Sequence, residues 1–151
     1  MSSEVSELVN KAVREFKRQS GERVEVWILQ EQPVYIIVNP LEFELVIINL
    51  LRNAAQALQE LGVLNSKVAL TIKREDNKAL IAIEDNGHIE KEKIEKLSEP
   101  TNSTKADGLG LGLQIVRSII ENHGGKIFFS RAASGGLRVE IRLPAEETTE
   151  Q

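Results

Sequence analysis

Strand-like runs in this sequence come in pairs, each pair set off from the next by a helical run, and that order leaves few folds open. Val5, Leu8, Val9, Ala12, Val13 and Phe16 recur at three- and four-residue spacing, which predicts a helix over residues 4–19 that stops at Ser20-Gly21. Strands are predicted over 24–29 and 34–38, joined by a turn at Gln32-Pro33. Pro40 stands where a helix begins, and a long helix over 41–61 is closed by Gly62. Alternation predicts a strand over 67–74, Asp76-Asn77 turns the chain, and a near-continuous apolar strand over 79–83 ends at Glu84-Asp85. A short helix over 90–97 leads into a polar, glycine-rich stretch over 98–112 with no periodicity, read as a mobile loop. A helix over 113–122 is stopped by His123-Gly124-Gly125. A hairpin of strands over 126–130 and 138–143 follows, and 146–151 reads as a frayed tail. A doubly wound parallel sheet would alternate single strands with helices. Paired strands instead predict an α/β (α+β) two-layer sandwich: a mixed, mostly antiparallel sheet packed on one face by about three helices.

Composition then narrows the function. A chain of 151 residues, 41% of them hydrophobic, suits one domain with a real core. Its 19 basic and 23 acidic side chains leave a net charge of −4 with no long basic run, which argues against binding nucleic-acid backbones. One Trp, one Tyr and four Phe give no platform for stacking bases. The absence of Cys removes disulfides, thiolate nucleophiles and Cys-ligated zinc, and two His make a His-based metal site unpromising. No apolar run reaches the roughly 18–20 residues of a membrane span, and no signal-peptide core opens the chain. The expectation is a cytoplasmic domain without membrane contact.

Four groups of residues carry chemistry. On the long helix, Glu42, Asn49, Arg52, Asn53, Gln56 and Glu60 share one side, while Ile47, Leu51, Ala54 and Leu58 lie opposite and face the sheet. A polar side is usually a solvated one, but Asn is a weak helix former, so two of them four apart are a feature the helix does not need. An amide oxygen is a neutral hard ligand suited to Mg²⁺ that keeps water and phosphate oxygens as its other ligands. Asp85-Asn86-Gly87 is a good turn in its own right; at the end of a buried strand, Asp85 could also accept a hydrogen bond from an exocyclic amine such as adenine N6. Gly108, Gly110 and Gly112, interleaved with Leu109, Leu111 and Leu113, open a helix, where successive backbone N–H groups can approach an anion. No strand precedes these glycines, as a dinucleotide fingerprint requires, and no Gly-Lys-Ser/Thr follows, as a Walker A requires. Lys105, just upstream, is either a surface lysine or a cation within reach of a phosphate.

The order and spacing of these groups decide between the readings. Asn49-Leu-Leu-Arg-Asn53-Ala, Asp85-Asn-Gly87, Ser103-Thr104-Lys105, and Gly108-Leu-Gly110-Leu-Gly112-Leu113 with the later His123-Gly-Gly resemble the N, G1, F and G2 boxes of sensor histidine kinases. The resemblance is to their ATP-binding catalytic domain, a member of the GHKL superfamily with the Bergerat fold, and it spans roughly residues 24–144. It implies that Asn53 ligands a Mg²⁺ bridging the ATP phosphates, with Asn49 supporting the metal and phosphate environment. It implies that Asp85 reads the adenine amine, that Gly87 lets the backbone approach the base, and that residues 98–112 form a flexible ATP lid. Within that lid, Thr104, Lys105, Gly108, Leu109, Gly110, Leu111, Gly112 and Leu113 would meet the nucleotide, and Asn49, Asn53 and Lys105 would carry catalysis. Where gyrase-like and chaperone relatives carry a Glu that activates water, this chain has Asn49, which cannot take a proton; that suits transfer of the γ-phosphoryl group to a histidine rather than hydrolysis.

The pattern also departs from the family. The second glycine of the G1 box is replaced in Asp85-Asn-Gly87-His88-Ile89, the F-box phenylalanines are missing, and Ala57 stands where some relatives stack an aromatic on adenine. Neither His88 nor His123 resembles a phosphoacceptor. Residues 1–20 resemble the helical stub of a preceding dimerisation segment, and 21–145 the catalytic domain. The implied partners are the dimerisation and phosphoacceptor domain of the same kinase and a response-regulator receiver domain, with a monomeric fragment of a homodimeric kinase. Two other readings share the fold: a degenerate nucleotide-binding module that serves protein interaction, and a serine kinase of the anti-sigma type.

Overall fold

The structure is a computed structural model and describes residues 2–21, 23–99 and 110–147. The elements run β1 (Ser3–Glu4), α1 (Val5–Ser20), β2 (Glu25–Gln30), β3 (Tyr35–Ile36), α2 (Pro40–Leu61), β4 (Lys67–Glu75), β5 (Lys78–Asp85), α3 (Lys91–Ser98), α4 (Gly110–Asn122), β6 (Lys126–Arg131) and β7 (Leu137–Pro144). Five strands form one sheet in the order β2-β4-β5-β7-β6, and only β2 and β4 are parallel. The expected two-layer sandwich with a mixed, mostly antiparallel sheet is therefore what this chain forms.

Helix α2 begins and ends where local chemistry dictates. Asn39 is its N-cap, with Oδ1 accepting from the backbone N–H of Glu42 at 3.0 Å, and Pro40 sits in the first turn, where its missing N–H is no loss. Gly62 closes it in the left-handed region (φ 71°, ψ 30°), which spares a side chain the steric penalty of that conformation. Between these ends Phe43, Val46, Ile47, Leu50, Leu51 and Leu58 are buried against the sheet, as the periodicity predicts for Ile47, Leu51, Ala54 and Leu58. The strand β5 lies at the centre of the sheet, with Ala79 through Ile83 all buried.

Five elements differ from the expectation. The strand expected over 34–38 is only Tyr35–Ile36 and does not pair with β2; it pairs with β1, a strand the sequence pattern did not suggest. Strand β2 instead takes β4 as its parallel partner, and a parallel pair needs a crossover element, which α2 supplies. Four helices are described rather than about three, because α1 joins the helical layer: Val5, Val9, Ala12, Val13 and Phe16 belong to the common core and α1 packs on α2. The helix expected to be a stub thus shares its core with residues 21–145. Helix α4 starts at Gly110, three residues before the expected start, so Gly110 and Gly112 lie in its first turn.

Among the described residues no second layer covers the face of the sheet away from the helices, yet Leu80 and Ala82 on it are 5% and 3% exposed. Their cover is a ladder of charges on neighbouring strands. Arg138 bridges Glu84 and Glu140, and Arg142 Nε donates to Glu140 at 2.6 Å while its guanidinium stands 4.7 Å from the Phe128 ring centre. At the opposite edge Lys67 Nζ stands 5.8 Å from the centre of the Trp27 ring.

Phe16 is 2% exposed at the junction of α1 with the core. Phe16→Ala is expected to destabilise the domain by about 3–5 kcal/mol, measured by chemical denaturation. A loss of under about 1 kcal/mol would mean that α1 does not hold the core together.

Candidate nucleotide-binding site

A cavity of about 300 Å³ opens between α2 and the ends of β5 and β7. Its walls are apolar, formed by Leu50, Ala54, Ala57 and Leu61 of α2, Ile83 of β5, Ile89, Leu113 of α4, and Leu137 and Val139 of β7. Two polar groups, Asn53 and Asp85, are set into these walls, and His88, Glu60, Glu90 and Lys93 complete the lining. A larger cleft, of about 600 Å³, lies between the ends of α1 and α2 and is lined by Phe16, Arg23, Arg52 and Val63 among others. It contains none of the expected nucleotide-contacting residues. The polar side of α2 is accordingly divided, with Arg52 and Gln56 turned to that cleft and Asn53 and Glu60 to the cavity.

Asp85 is the one buried charged residue among the described residues, 6% exposed at the last position of β5. Burial pushes its carboxyl above the usual carboxylate range, and backbone hydrogen bonds from Gly87 and Leu137 pull it partly back. The Gly87 N–H donates to Oδ1 at 2.9 Å. Asp85 also lines the cavity, so its carboxyl is presented to that space. Asn86, by contrast, turns away: its Oδ1 accepts from the Lys67 N–H at 2.8 Å and its Nδ2 donates to the Asn65 carbonyl at 2.7 Å, sewing the turn to the start of β4. Asn86 thus serves the turn, while Asp85 lines the cavity.

The turn between β6 and β7 backs this loop, and sequence reasoning missed it. Ser134 Oγ donates to the Asp85 carbonyl at 3.2 Å, the Ile89 N–H donates to the Gly135 carbonyl at 3.0 Å, and Arg131 donates to the Ile89 carbonyl at 3.0 Å. Gly136 lies so close that a Cβ would stand 2.2 Å from the Asp85 carbonyl oxygen and 2.3 Å from its Oδ1. The paired glycines Gly135-Gly136 were the available signal, but only the fold shows that Asp85 is what they approach.

Asn53 presents its side-chain amide to the cavity, and its Nδ2 is shielded from solvent with no hydrogen-bond partner among the described residues. A buried amide with no partner is costly unless a ligand satisfies it. Asn49 lies one turn earlier on the same side, about 6 Å along the axis, half-buried and outside the cavity lining. Gly87 sits at the cavity's edge, where a Cβ would meet Leu58 at 3.0 Å and Leu61 at 3.1 Å. Leu113 is a wall of the cavity. At Gly112 no atom of the described residues stands within 4 Å of a Cβ position. Gly110 and Leu111 open α4, whereas Thr104, Lys105, Gly108 and Leu109 lie outside the described residues, as does most of the expected lid. Among the described residues no three His, Asp or Glu converge on a metal site, so a cation here would take an amide oxygen and the ligand's own oxygens.

The family model described as "Histidine kinase-, DNA gyrase B-, and HSP90-like ATPase" matches residues 38–147, which include α2, the Asp85 loop and the β6–β7 turn. The chain belongs to this family. Nucleotide use comes with membership. Sensor protein TdiS of Thauera aromatica is 38% identical over 109 residues, covering 69% of this chain and 20% of that protein. Sporulation kinase B of Bacillus subtilis (strain 168) is 38% identical over 101 residues, covering 66% and 23%. The chain therefore corresponds to about a fifth of the length of these curated relatives. Among solved structures, the nucleotide-free catalytic domain of histidine kinase ThkA superposes with a TM-score of 0.79 at 26% identity, over 95% of this chain and 94% of that one. No helix among the described residues is long and apolar enough to cross a membrane.

Because burial raises the Asp85 pKa, the folded domain binds that proton more readily than the unfolded chain. The group's contribution to stability therefore falls as pH rises from the unfolded value through the folded one, and at neutral pH its buried charge works against folding. Asp85→Asn is expected to melt no lower than the native domain at pH 7, with any advantage of the variant shrinking on acidification; melting curves across that range check it. Gly136→Ala should lower stability by about 1–3 kcal/mol, through the collision with Asp85. A native melting profile for that variant would show that the β6–β7 turn yields freely.

Proposed function

We propose that this domain binds ATP in the cavity between α2 and β5–β7 and passes the γ-phosphoryl group to a histidine on a dimerisation domain of the same kinase. The observation that carries the reading is that buried Asp85 and the unpartnered amide of Asn53 are set into the apolar walls of one cavity. A purine ring suits apolar walls, and its exocyclic amine is a donor for which the Asp85 carboxylate is a ready acceptor. A base seated there directs the phosphates along α2 toward Asn53 and Asn49. The first turn of α4, with Gly110 and Gly112, offers backbone N–H groups to the same phosphates. Thr104, Lys105, Gly108, Leu109 and Leu111 are assigned to the same phosphate-binding lid on the family pattern.

The unpartnered Nδ2 of Asn53 is a donor suited to a nucleotide phosphate oxygen, which leaves Oδ1 as the atom that would hold a Mg²⁺ carried by that nucleotide. Mg²⁺, when bound, offsets negative charge on the phosphate oxygens. The chain's own residues do the rest by binding and orientation: Asp85 holds the base, Asn53 and Asn49 fix the phosphate end, and Lys105 adds a positive charge. Asn49 cannot deprotonate water, whereas a neutral imidazole is a nucleophile without further activation. Transfer to histidine is thus favoured over hydrolysis. The whole kinase would act as a cytoplasmic homodimer and hand the phosphoryl group on to a response-regulator receiver domain.

The test is incubation with γ-labelled ATP and Mg²⁺, with and without a separately added dimerisation domain. Label should appear on that domain and not on this one, with little free phosphate. Asn53→Ala should keep metal-free ADP binding in a calorimetric titration but lose the gain from Mg²⁺, while Asp85→Asn should weaken ADP about ten- to a hundredfold. Rapid phosphate release, or transfer undiminished by Asn53→Ala, would overturn the reading.

A further inference from the structure

His123 ends α4, and a helix stop needs only the glycines that follow it, yet the imidazole makes two further bonds. Nδ1 lies 2.8 Å from the Ile119 carbonyl oxygen in the last turn of α4, and Nε2 lies 3.1 Å from the backbone nitrogen of Asn39, the N-cap of α2. A carbonyl only accepts and an amide N–H only donates, so both bonds form together in a single state: the neutral ring with its proton on Nδ1. The ring sits in a cleft of Val38, Phe43, Ile119, Ile120 and Leu143, and its side chain is 18% exposed.

We propose that neutral His123 is a positioning residue that clasps the start of α2 to the end of α4, and that its protonation opens the clasp. A proton on Nε2 sets one donor against another at Asn39. The ionisable group that faces the ring is Glu42 of α2, whose Oε1 is 3.9 Å from Nε2; its other neighbours, from α4, β7 and the chain before α2, are apolar. The charged ring thus exchanges a backbone partner for a carboxylate, and Asn39 loses its partner. Asn39 cannot shift alone, because its side chain caps the helix through the N–H of Glu42. Helices α2 and α4 supply Asn53 and Leu113 to the cavity, so the clasp sets the spacing between two of its walls. This last step rests on the nucleotide reading above; the clasp itself belongs to the unliganded domain.

Imidazole nitrogen chemical shifts of the native domain at about pH 7.5 should show His123 protonated at Nδ1 and bare at Nε2; the opposite tautomer would overturn the proposal without any variant. Between about pH 7.5 and about pH 5.5, the Asn39 amide should lose protection from solvent exchange in the native domain relative to His123→Gln, whose side-chain oxygen can accept from Asn39 at both pH values. Over the same range ADP affinity should fall about three- to tenfold more in the native domain than in that variant, and His88→Ala should behave as native. Asn39 exchange that follows pH identically in the native and Gln forms would overturn the clasp. Protection that follows the prediction while ADP fails to bind at either pH would overturn the nucleotide reading alone.

Discussion

Helix α2 must satisfy two demands at once. One side has to bury Ile47, Leu51 and Leu58 against the sheet, while the adjoining stripe has to leave a space unfilled beside Asn53. Leu50, Ala54, Ile83, Leu113 and Val139 belong both to the core and to the cavity wall, so the cavity is bounded by the core itself. That dependence runs in both directions. The small side chains Ala54 and Ala57 keep room open at some expense of packing, and the caps at Asn39 and Gly62 hold the helix in register so that the room faces Asp85.

Much of this was legible in the residues because it is local. The ends of α2 follow from Pro40 and Gly62, the β4–β5 pair from alternation about Asp76-Asn77, and the position of Asp85 from a carboxylate at the end of an apolar strand. What escaped is non-local. Strand β2 looks like half of a hairpin with the next strand, and only the crossover through α2 makes β4 its parallel partner. Gly136 and Ser134 meet Asp85 across the sheet, where no spacing rule reaches. The helix over 5–20 has the amphipathic pattern of many peripheral helices, and nothing in that pattern says that its apolar side completes the core.

At the site the same division holds. Asp85, Asn53, Gly87 and Leu113 come together as the motif order implies. Asn49 stands outside the cavity, which fits a group directed at phosphates beyond the base more than at the base itself. Ile89, where the family pattern has a glycine, is 9% exposed and lines the cavity, so the departure from the pattern becomes part of the wall.

The charge ladder over the uncovered face of the sheet bears on how this molecule behaves in a crowd. An apolar sheet face without a second layer would adhere to its copies, and the usual remedy is another layer of chain. Here Glu84, Arg138, Glu140 and Arg142 lie across Leu80 and Ala82, and cations stand over the aromatic rings at both edges. The remedy is ionic, so it is screened by salt as a packed layer would not be. Colloidal stability of this domain should therefore depend on ionic strength more than its folding does, and crowding at high salt is the condition under which one sheet would find another.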